Sequence, residues 1–248
     1  ISEYTIPAFQ RNRWMSGFTG SCTVVVGLRG AFLWTDSRYF LQAAIELSNK
    51  WTLMKEGEKD TPTVKEFIKD AARSGGVVAM DYETTPLGML QDLRDMGINP
   101  VNLNVFTTVM PVAFSPSPIV EFKGSHFTAK EKVEMLRRKY PSQTLIITAL
   151  DDVAWLFNLR GSDIPFMPVF YSYAVISSLS VDIFAGSQDQ QDLIRKLSPI
   201  VETGAVVHPY NSFTSSLPTL YHDSTIRFQK GSMNCAIYEI LNSMPSSR

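Results

Sequence analysis

Short apolar runs bounded by glycine, proline and polar turns alternate along the chain with segments of helical periodicity. Near the amino end, residues 22–26 form a β-branched run without charge, and residues 31–35 form a second apolar run. The turn 27–30 between them contains two glycines, which tolerate positive φ, so the pattern predicts a β-hairpin. Asp36 can then cap a helix whose apolar positions recur at helical spacing and face the sheet. These positions are Tyr39, Phe40, Ala43, Ala44 and Leu47.

A similar order of turns and strands recurs in the second half of the chain, around residues 158–181. Both copies place a Gly-Ser turn before a strand, and a short turn, a second apolar strand and a helix follow. The second hairpin is predicted at 173–178 and 181–185. Two similar α/β units in tandem are therefore expected.

The remaining segments keep the alternation of strands and helices, which predicts mixed or parallel sheets. Thr128 with Glu131 has the spacing of a capping box at the start of a helix. Further strands are predicted at 77–81, 100–103, 145–148, 205–207 and 226–228, and helices at 61–73, 85–96, 128–140, 151–157, 188–197, 211–220 and 232–242.

A change of composition marks a boundary between the two halves. Residues 109–120 carry three prolines without periodicity, which is typical of a stiff, extended connector. We therefore predict an α/β protein with domains at 1–120 and 121–248, each a mixed β-sheet flanked by helices.

Composition and charge exclude several classes of partner. The formal net charge is −1 and no basic block exceeds residues 137–139, so neither nucleic acid nor an anionic membrane is an expected partner. No apolar run is long enough to span a membrane, and the amino end lacks a signal sequence, so the expected location is the cytoplasm. Cys22 and Cys235 are expected to be buried thiols without a disulfide. Because the chain begins at Ile1, it is expected to be a piece of a longer protein.

Common catalytic and metal-binding signatures are absent from the sequence. There is no GxSxG, HExxH, GxGxxG or Walker motif. His126, His208 and His222 lack the spacing that would place two imidazoles on one metal. Asp151 and Asp152 lie at a predicted helix start, where acids interact favourably with the helix dipole. No catalytic residue and no metal ligand is predicted.

Two motifs carry charged or polar residues that could form a site. Asp36 and Arg38 could form a charged site at a strand end, or be a plain N-cap and its surface partner, and the sequence leaves both open. The turn at 160–163 has Gly161 to permit a tight bend and polar side chains to close it. An architectural role is favoured there, because no general base or nucleophile lies nearby. A hydrolase that uses Ser21 or Ser162 is disfavoured, because neither serine has a histidine nearby in the sequence.

Four blocks of sequence resemble a known family. They are SGFTGS at 16–21, LWTDSRYFLQAA at 33–44, WTLMKEGEKDTPT at 51–63 and ALDDVAWLFNLRGSDIPFMPVFYSYAVI at 149–176. In order and spacing they resemble the two amino-terminal, creatinase-like domains of the cytosolic three-domain X-Pro aminopeptidases. The chain departs from the usual pattern at Ser37 and at Cys22-Thr23, where glycine is common in the family. Both changes are mild.

The resemblance implies a parent enzyme that removes an amino-terminal residue when proline follows it. In that family a carboxy-terminal pita-bread domain holds two divalent metal ions, usually manganese. This sequence stops before those ligands, so the chain alone is expected to hold no cofactor and to be inactive. The resemblance further implies a homodimer, with these domains shaping the access of proline-containing peptides. It makes Arg38, Tyr39, Arg160, Ser162 and Asp163 candidate substrate-access or interface residues.

A stand-alone role is the alternative. Some creatinase-like modules have lost catalysis and bind peptides or proteins, including the amino-terminal module of a histone chaperone. The blocks at 51–63 and 158–170 favour the peptidase over that alternative, because they resemble the peptidase more closely.

Overall fold

The computed structural model describes residues 9–104, 106–109, 115–186, 205–220 and 225–244. These residues divide into two compact units, a first unit within 7–81 and 91–112 and a second unit within 82–90 and 113–248. The segment 82–90 groups with the second unit, so the spatial division does not follow a single cut in the sequence.

The first unit is built on a three-stranded sheet in the order β1-β2-β3. Strands β1 (Thr23–Gly27) and β2 (Gly30–Thr35) form the predicted antiparallel hairpin, and β3 (Trp51–Lys55) pairs in parallel with β2. The other elements of this unit are α1 (Arg11–Ser16), α2 (Phe40–Glu46), α3 (Val64–Arg73), β4 (Ala79–Met80), β5 (Val101–Asn102) and α5 (Phe106–Val109), and α4 (Leu87–Asp95) has residues in both units.

Side chains from β2 pack on both faces of this sheet, as the twofold alternation of a strand requires. Leu33 is fully buried on one face, in a cluster with Phe18 and with Ala43 of α2. The next residue, Trp34, is also fully buried and meets the ring of Phe67 on α3 edge-on, with 5.1 Å between ring centroids. The sheet is therefore covered on one face by α2 and contacts α3 through Trp34.

Helix α2 begins as the sequence predicts. Asp36 caps a single 3-10 turn, Ser37–Tyr39, by accepting a hydrogen bond from the backbone N–H of Arg38, and α2 follows directly. Its apolar face is narrower than predicted, because Ala43 is buried but Ala44 is exposed. Thr63 starts α3 with a complete capping box.

The second unit contains a five-stranded mixed sheet in the order β11-β10-β9-β7-β12. The predicted hairpin of β9 with β10 is antiparallel, and β7 pairs antiparallel with β9. The two outer strands are parallel to their neighbours, β11 to β10 and β12 to β7. The strands are β6 (Val120–Glu121), β7 (Thr144–Ile147), β8 (Leu159–Arg160), β9 (Ser172–Ile176), β10 (Val181–Ala185), β11 (Ala205–Pro209) and β12 (Ile226–Phe228), and the helices are α6 (Ala129–Lys139), α7 (Leu150–Leu156), α8 (Phe213–Leu220) and α9 (Cys235–Ser243).

Alternating residues of the central strands supply two cores on opposite faces of this sheet. Ala174 and Ile183 belong to the core that includes residues of α6 and α7. Val175 and Phe184 belong to the core that includes residues of α8 and α9. Strands β9 and β10 are therefore apolar on both faces, which explains why they read as almost continuous apolar runs.

The repeated order of segments in the sequence corresponds to a strand topology that the two units share. In each unit an antiparallel hairpin is followed by a strand that pairs in parallel with the second strand of the hairpin, β1-β2-β3 in one unit and β9-β10-β11 in the other. The helix predicted at 188–197 lies outside the described residues. The mixed sheets and flanking helices confirm the predicted fold class.

Several predicted boundaries need correction. The strand predicted at 77–81 is only Ala79–Met80, because β5 pairs with two residues of it. The predicted connector 109–120 starts at the last residue of α5 and ends in β6, and its residues 110–114 lie outside the described residues. Cys22 is half-buried rather than buried, and burial raises the pKa of its thiol to about 11. In the described part of the chain, no disulfide joins Cys22 to Cys235. Within the described ranges, no helix is long and apolar enough to cross a membrane.

Candidate functional site

The first candidate motif lies at the carboxyl end of β2. Arg38 donates to Asp36 through a bidentate pair, Nε to Oδ1 at 2.8 Å and Nη2 to Oδ2 at 2.9 Å. This guanidinium lowers the pKa of the Asp36 carboxyl to about 2. The Arg38 side chain is 68% exposed, so the pair is a surface ion pair that also caps a helical turn. The geometry is that of an N-cap with a surface partner, and a role of the pair as a charged site stays a prediction.

Tyr39 packs inward from the same turn. Its ring meets Phe18 edge-on, with 6.3 Å between centroids. Gly20 fits against both rings, because an added Cβ would lie 2.5 Å from Phe18 Cζ and 2.8 Å from Tyr39 Cδ1. Tyr39 therefore helps to fix the loop before β1 and is half-buried rather than a free surface group.

The second candidate motif is a turn held by a buried carboxylate. Asp163 is 6% exposed, and its Oδ1 accepts from the backbone N–H of Ser117 at 2.6 Å. Its Oδ2 accepts from the backbone N–H of Tyr171 at 2.7 Å. One side chain therefore joins the segment before β6 to the segment before β9. Burial, with a smaller contribution from the charge of Asp163, raises the pKa of the Tyr171 hydroxyl to about 12.

Gly161 is required by close packing rather than by the backbone bend that the sequence suggests. Gly161 is not one of the described glycines whose backbone φ is positive. An added Cβ would lie 2.7 Å from Phe170 Cβ and 3.1 Å from the carbonyl oxygen of Val169. The neighbouring Ser162 is exposed, and its backbone N–H donates to Ser117 Oγ at 2.8 Å.

Replacing Gly161 with alanine tests this packing. Because Phe170 Cβ is fixed to the backbone, the clash cannot be relieved by a rotamer change, and we expect Gly161→Ala to lower the free energy of unfolding by about 2 kcal/mol. Gly231→Ala is the matched control, because an added Cβ there meets nothing within 4 Å. Urea denaturation followed by circular dichroism measures both. Equal midpoints for the two variants would contradict the packing argument.

Arg160 is anchored at the carboxyl end of α7. Its Nη1 donates to the carbonyl oxygens of Ala154 at 2.9 Å and Leu159 at 2.7 Å. Its guanidinium carbon lies 4.4 Å from the centroid of the Phe122 ring. A cation at this position satisfies a terminal helix carbonyl and opposes the negative end of the helix dipole.

Sequence reasoning missed a buried cation next to Arg160. Lys132 is 2% exposed, and its Nζ donates to the carbonyl oxygen of Trp155 and to Asn158 Oδ1, each at 2.6 Å. Burial, together with the positive charge of Arg160, lowers the pKa of this ammonium group. Its position in the sequence could have indicated burial, because Lys132 lies three residues after Ala129 and is therefore on the apolar face of α6.

The structure brings three of the five candidate residues together. Arg160, Ser162 and Asp163 share one turn of the second unit, and Arg38 and Tyr39 are adjacent in the first. These contacts anchor and position backbone, and their role in substrate access or in an interface stays a prediction. Neither Ser21 nor Ser162 bonds an imidazole within the described part of the chain.

The residues that the structure describes do not form a metal centre. No group of three or more His, Cys, Asp or Glu side chains that could hold a metal ion occurs in the described ranges. His208 pairs instead with the carboxylate of Asp182 on the neighbouring strand, with 2.8 Å between Nε2 and Oδ1, and stacks on Phe184. Asp151 and Asp152 lie in the first turn of α7 as predicted, although Ala149 is its N-cap and supplies no side-chain cap.

Two mixed α/β units with matching strand topology define a tandem-domain protein, and family comparison identifies the domains. Two models of the creatinase/prolidase N-terminal domain match residues 3–107 and 112–247. The chain therefore belongs to the creatinase/prolidase N-terminal domain family, which confirms the resemblance found in the sequence blocks.

Curated relatives of this chain are described as Xaa-Pro aminopeptidases. A probable Xaa-Pro aminopeptidase P of Metarhizium acridum is 33% identical over 99% of this chain and 42% of its own length. A Xaa-Pro aminopeptidase of Caenorhabditis elegans is 34% identical over 86% of this chain and 37% of its own length. The chain thus spans less than half the length of these relatives.

A solved structure shows the same fold. The crystal structure of X-prolyl aminopeptidase from Caenorhabditis elegans matches with a TM-score of 0.85 and 29% identity, over 99% of this chain and 43% of that protein. That protein is described as a cytosolic enzyme with a di-nuclear active site.

Proposed function

We propose that this chain is the non-catalytic amino-terminal portion of a cytoplasmic Xaa-Pro aminopeptidase, a metallopeptidase that releases the first residue of peptides with proline in second position. The observation that carries the proposal is the match of nearly the whole chain, in fold and sequence, to an X-prolyl aminopeptidase. The division into domains at 1–120 and 121–248 is part of the proposal.

The metal chemistry is assigned to residues outside this sequence. A di-nuclear site in the parent enzyme would supply an activated water for attack on the X-Pro carbonyl, and we propose manganese as its metal. The described residues of this chain contain no cluster that would hold such ions. Their contribution is therefore positional.

Both units are proposed to shape access of proline-containing peptides and to support a homodimer. Arg38 supports this role because its guanidinium is held rigidly by Asp36 yet is largely exposed. A fixed and exposed cation can contact a neighbouring surface at a small entropic cost.

Charge reversal at Arg38 tests this proposal in a polypeptide that also carries the proposed catalytic domain. Arg38→Glu places a second carboxylate beside Asp36, and we expect about a tenfold loss of kcat/KM on an X-Pro peptide, or dissociation of the dimer. Arg29→Glu is the matched control, because Arg29 is exposed in the same unit. Peptide hydrolysis and light scattering measure the two effects. Unchanged kinetics together with unchanged mass would contradict the proposed role.

A further inference from the structure

Arg160 presents one edge of its guanidinium without a partner among the residues that the structure describes. The Nη1 group is fully used by two backbone carbonyls, at 2.9 and 2.7 Å. Within the described residues, Nε and Nη2 have no acceptor. The Phe122 ring, 4.4 Å from the guanidinium carbon, holds the plane of the group. A guanidinium fixed in this way has two parallel donors at the spacing that a carboxylate accepts.

No described carboxylate neutralises the local positive charge. Arg160 and Lys132 interact electrostatically, yet neither has a carboxylate within ion-pair distance among the residues that the structure describes. The donors of Lys132 point to Trp155 and Asn158, so it contributes charge rather than a contact. Two neighbouring cations without a counter-ion favour an anionic ligand.

Two exposed rings contact these cations, Phe122 at Arg160 and Trp155 at Lys132, and a third, Phe127, is linked to them through Asn158. We call Phe122, Phe127 and Trp155 the aromatic rim. They are 41%, 51% and 52% exposed. Asn158 links two residues of the rim. Its backbone carbonyl oxygen accepts from the backbone N–H of Phe122 at 2.7 Å, and its Nδ2 donates to the carbonyl oxygen of Phe127 at 2.8 Å. The Trp155 ring lies 4.3 Å from Lys132 Nζ. Aromatic residues beside an arginine are the composition of protein-binding surfaces.

We propose that Arg160 and the aromatic rim form a binding site for an acidic peptide segment, whose side-chain carboxylate bonds the Nε and Nη2 edge of Arg160. Apolar side chains that flank the carboxylate pack on Phe122 and the rest of the rim. Lys132 strengthens the field at the site. Binding at this site does not depend on the proposed aminopeptidase activity.

Peptide titration of the 248-residue chain tests the site. The probes are two acetylated, amidated pentapeptides, glycine-leucine-glutamate-leucine-glycine and its glutamine counterpart. The readout is the Nε–H signal of Arg160 in ¹⁵N-edited NMR, which reports on the unmodified protein. We expect the glutamate peptide to shift this signal and to bind at least tenfold more tightly than the glutamine peptide.

Variants separate the effect of the two parallel donors of Arg160 from the effect of its charge. Arg160→Lys keeps the cation and loses the two parallel donors, so we expect at least fivefold weaker binding of the glutamate peptide. Arg138→Gln, an exposed arginine of α6, is the control and should bind within twofold of the unmodified chain. Circular dichroism checks that both variants are folded.

Three results would overturn the proposal. One is equal binding of the glutamate and glutamine peptides, and another is an unmoved Arg160 signal at saturation, which needs no variant. The third is a response to acetate alone at the affinity of the peptide, because it would show a site for small carboxylates rather than for a peptide segment.

Discussion

Truncation of Trp34 to alanine is expected to destabilise the first unit by about 3–5 kcal/mol, the range for removal of a buried aromatic side chain. Trp34 is fully buried in the central strand of the sheet and packs edge-on against Phe67. Its Nε1 also donates to the carbonyl oxygen of Pro62 at 2.8 Å, just before the capping residue of α3. The variant therefore loses apolar contacts, leaves a cavity and removes the bond that fixes the start of a helix.

Native-state hydrogen exchange of the amides in β2 and β3 measures this effect, because it reports on the first unit separately. Trp34→Phe keeps a ring but loses the bond to Pro62 and is expected to cost about 1–2 kcal/mol. Leu28→Ala is the control, since Leu28 is fully exposed at the tip of the hairpin. A loss of less than about 1 kcal/mol for Trp34→Ala would contradict this account of the core.

Replacement of Asp163 by asparagine is expected to lower the free energy of unfolding of the second unit by about 2–4 kcal/mol. The carboxylate accepts two short hydrogen bonds from backbone N–H groups that belong to segments far apart in the chain. Asparagine can accept only one of them, and its amide group then faces the other donor in a buried site. The variant should loosen the segment at 115–119 and the start of β9 together.

Chemical denaturation and the exchange rates of the Ser117 and Tyr171 amides measure this effect. Asp151→Asn is the matched control, because Asp151 is exposed in the first turn of α7, where its charge interacts favourably with the helix dipole. An Asp163→Asn variant that unfolds at the same denaturant concentration as the unmodified chain would show that the turn is held by other contacts.

Features set by a few neighbouring residues were predictable from the sequence. The capping box at Thr128 and Glu131 forms as expected, because its hydrogen bonds join groups three residues apart. The first hairpin forms because its turn glycines and its β-branched strands favour the same conformation. The arrangement of two α/β units in tandem was predictable because these local patterns occur twice in the same order.

Features set by contacts across the fold could not be located in this way. Asp163 reads as a turn residue, and only the fold shows that it bonds an amide 46 positions earlier in the chain. The helical spacing places Lys132 on the apolar face of α6, but only the fold shows that Trp155 of α7 supplies a carbonyl that accepts from it. Strand lengths also depend on partners, and β4 is short because β5 offers only two residues to pair with.

The candidate residues were found by resemblance, and the fold supplies a physical reason for several of them. Gly161 and Asp163 are explained by packing and hydrogen bonding, which agrees with the architectural role that the sequence favoured for this turn. The Arg38 side chain is largely exposed beside Asp36, and Arg160 has donor groups that no contact of the described residues uses. Their roles toward a partner remain predictions that the variants above test.

The proposal that this chain is part of a Xaa-Pro aminopeptidase is tested most directly by peptide cleavage with the native protein. An antibody raised against this chain would capture that protein from a lysate of cells that make it. We expect the captured protein to release the first residue of a peptide with proline in second position and to leave a matched peptide with alanine in that position intact. A captured protein with the 27.8 kDa mass of this chain and no such cleavage would contradict the account.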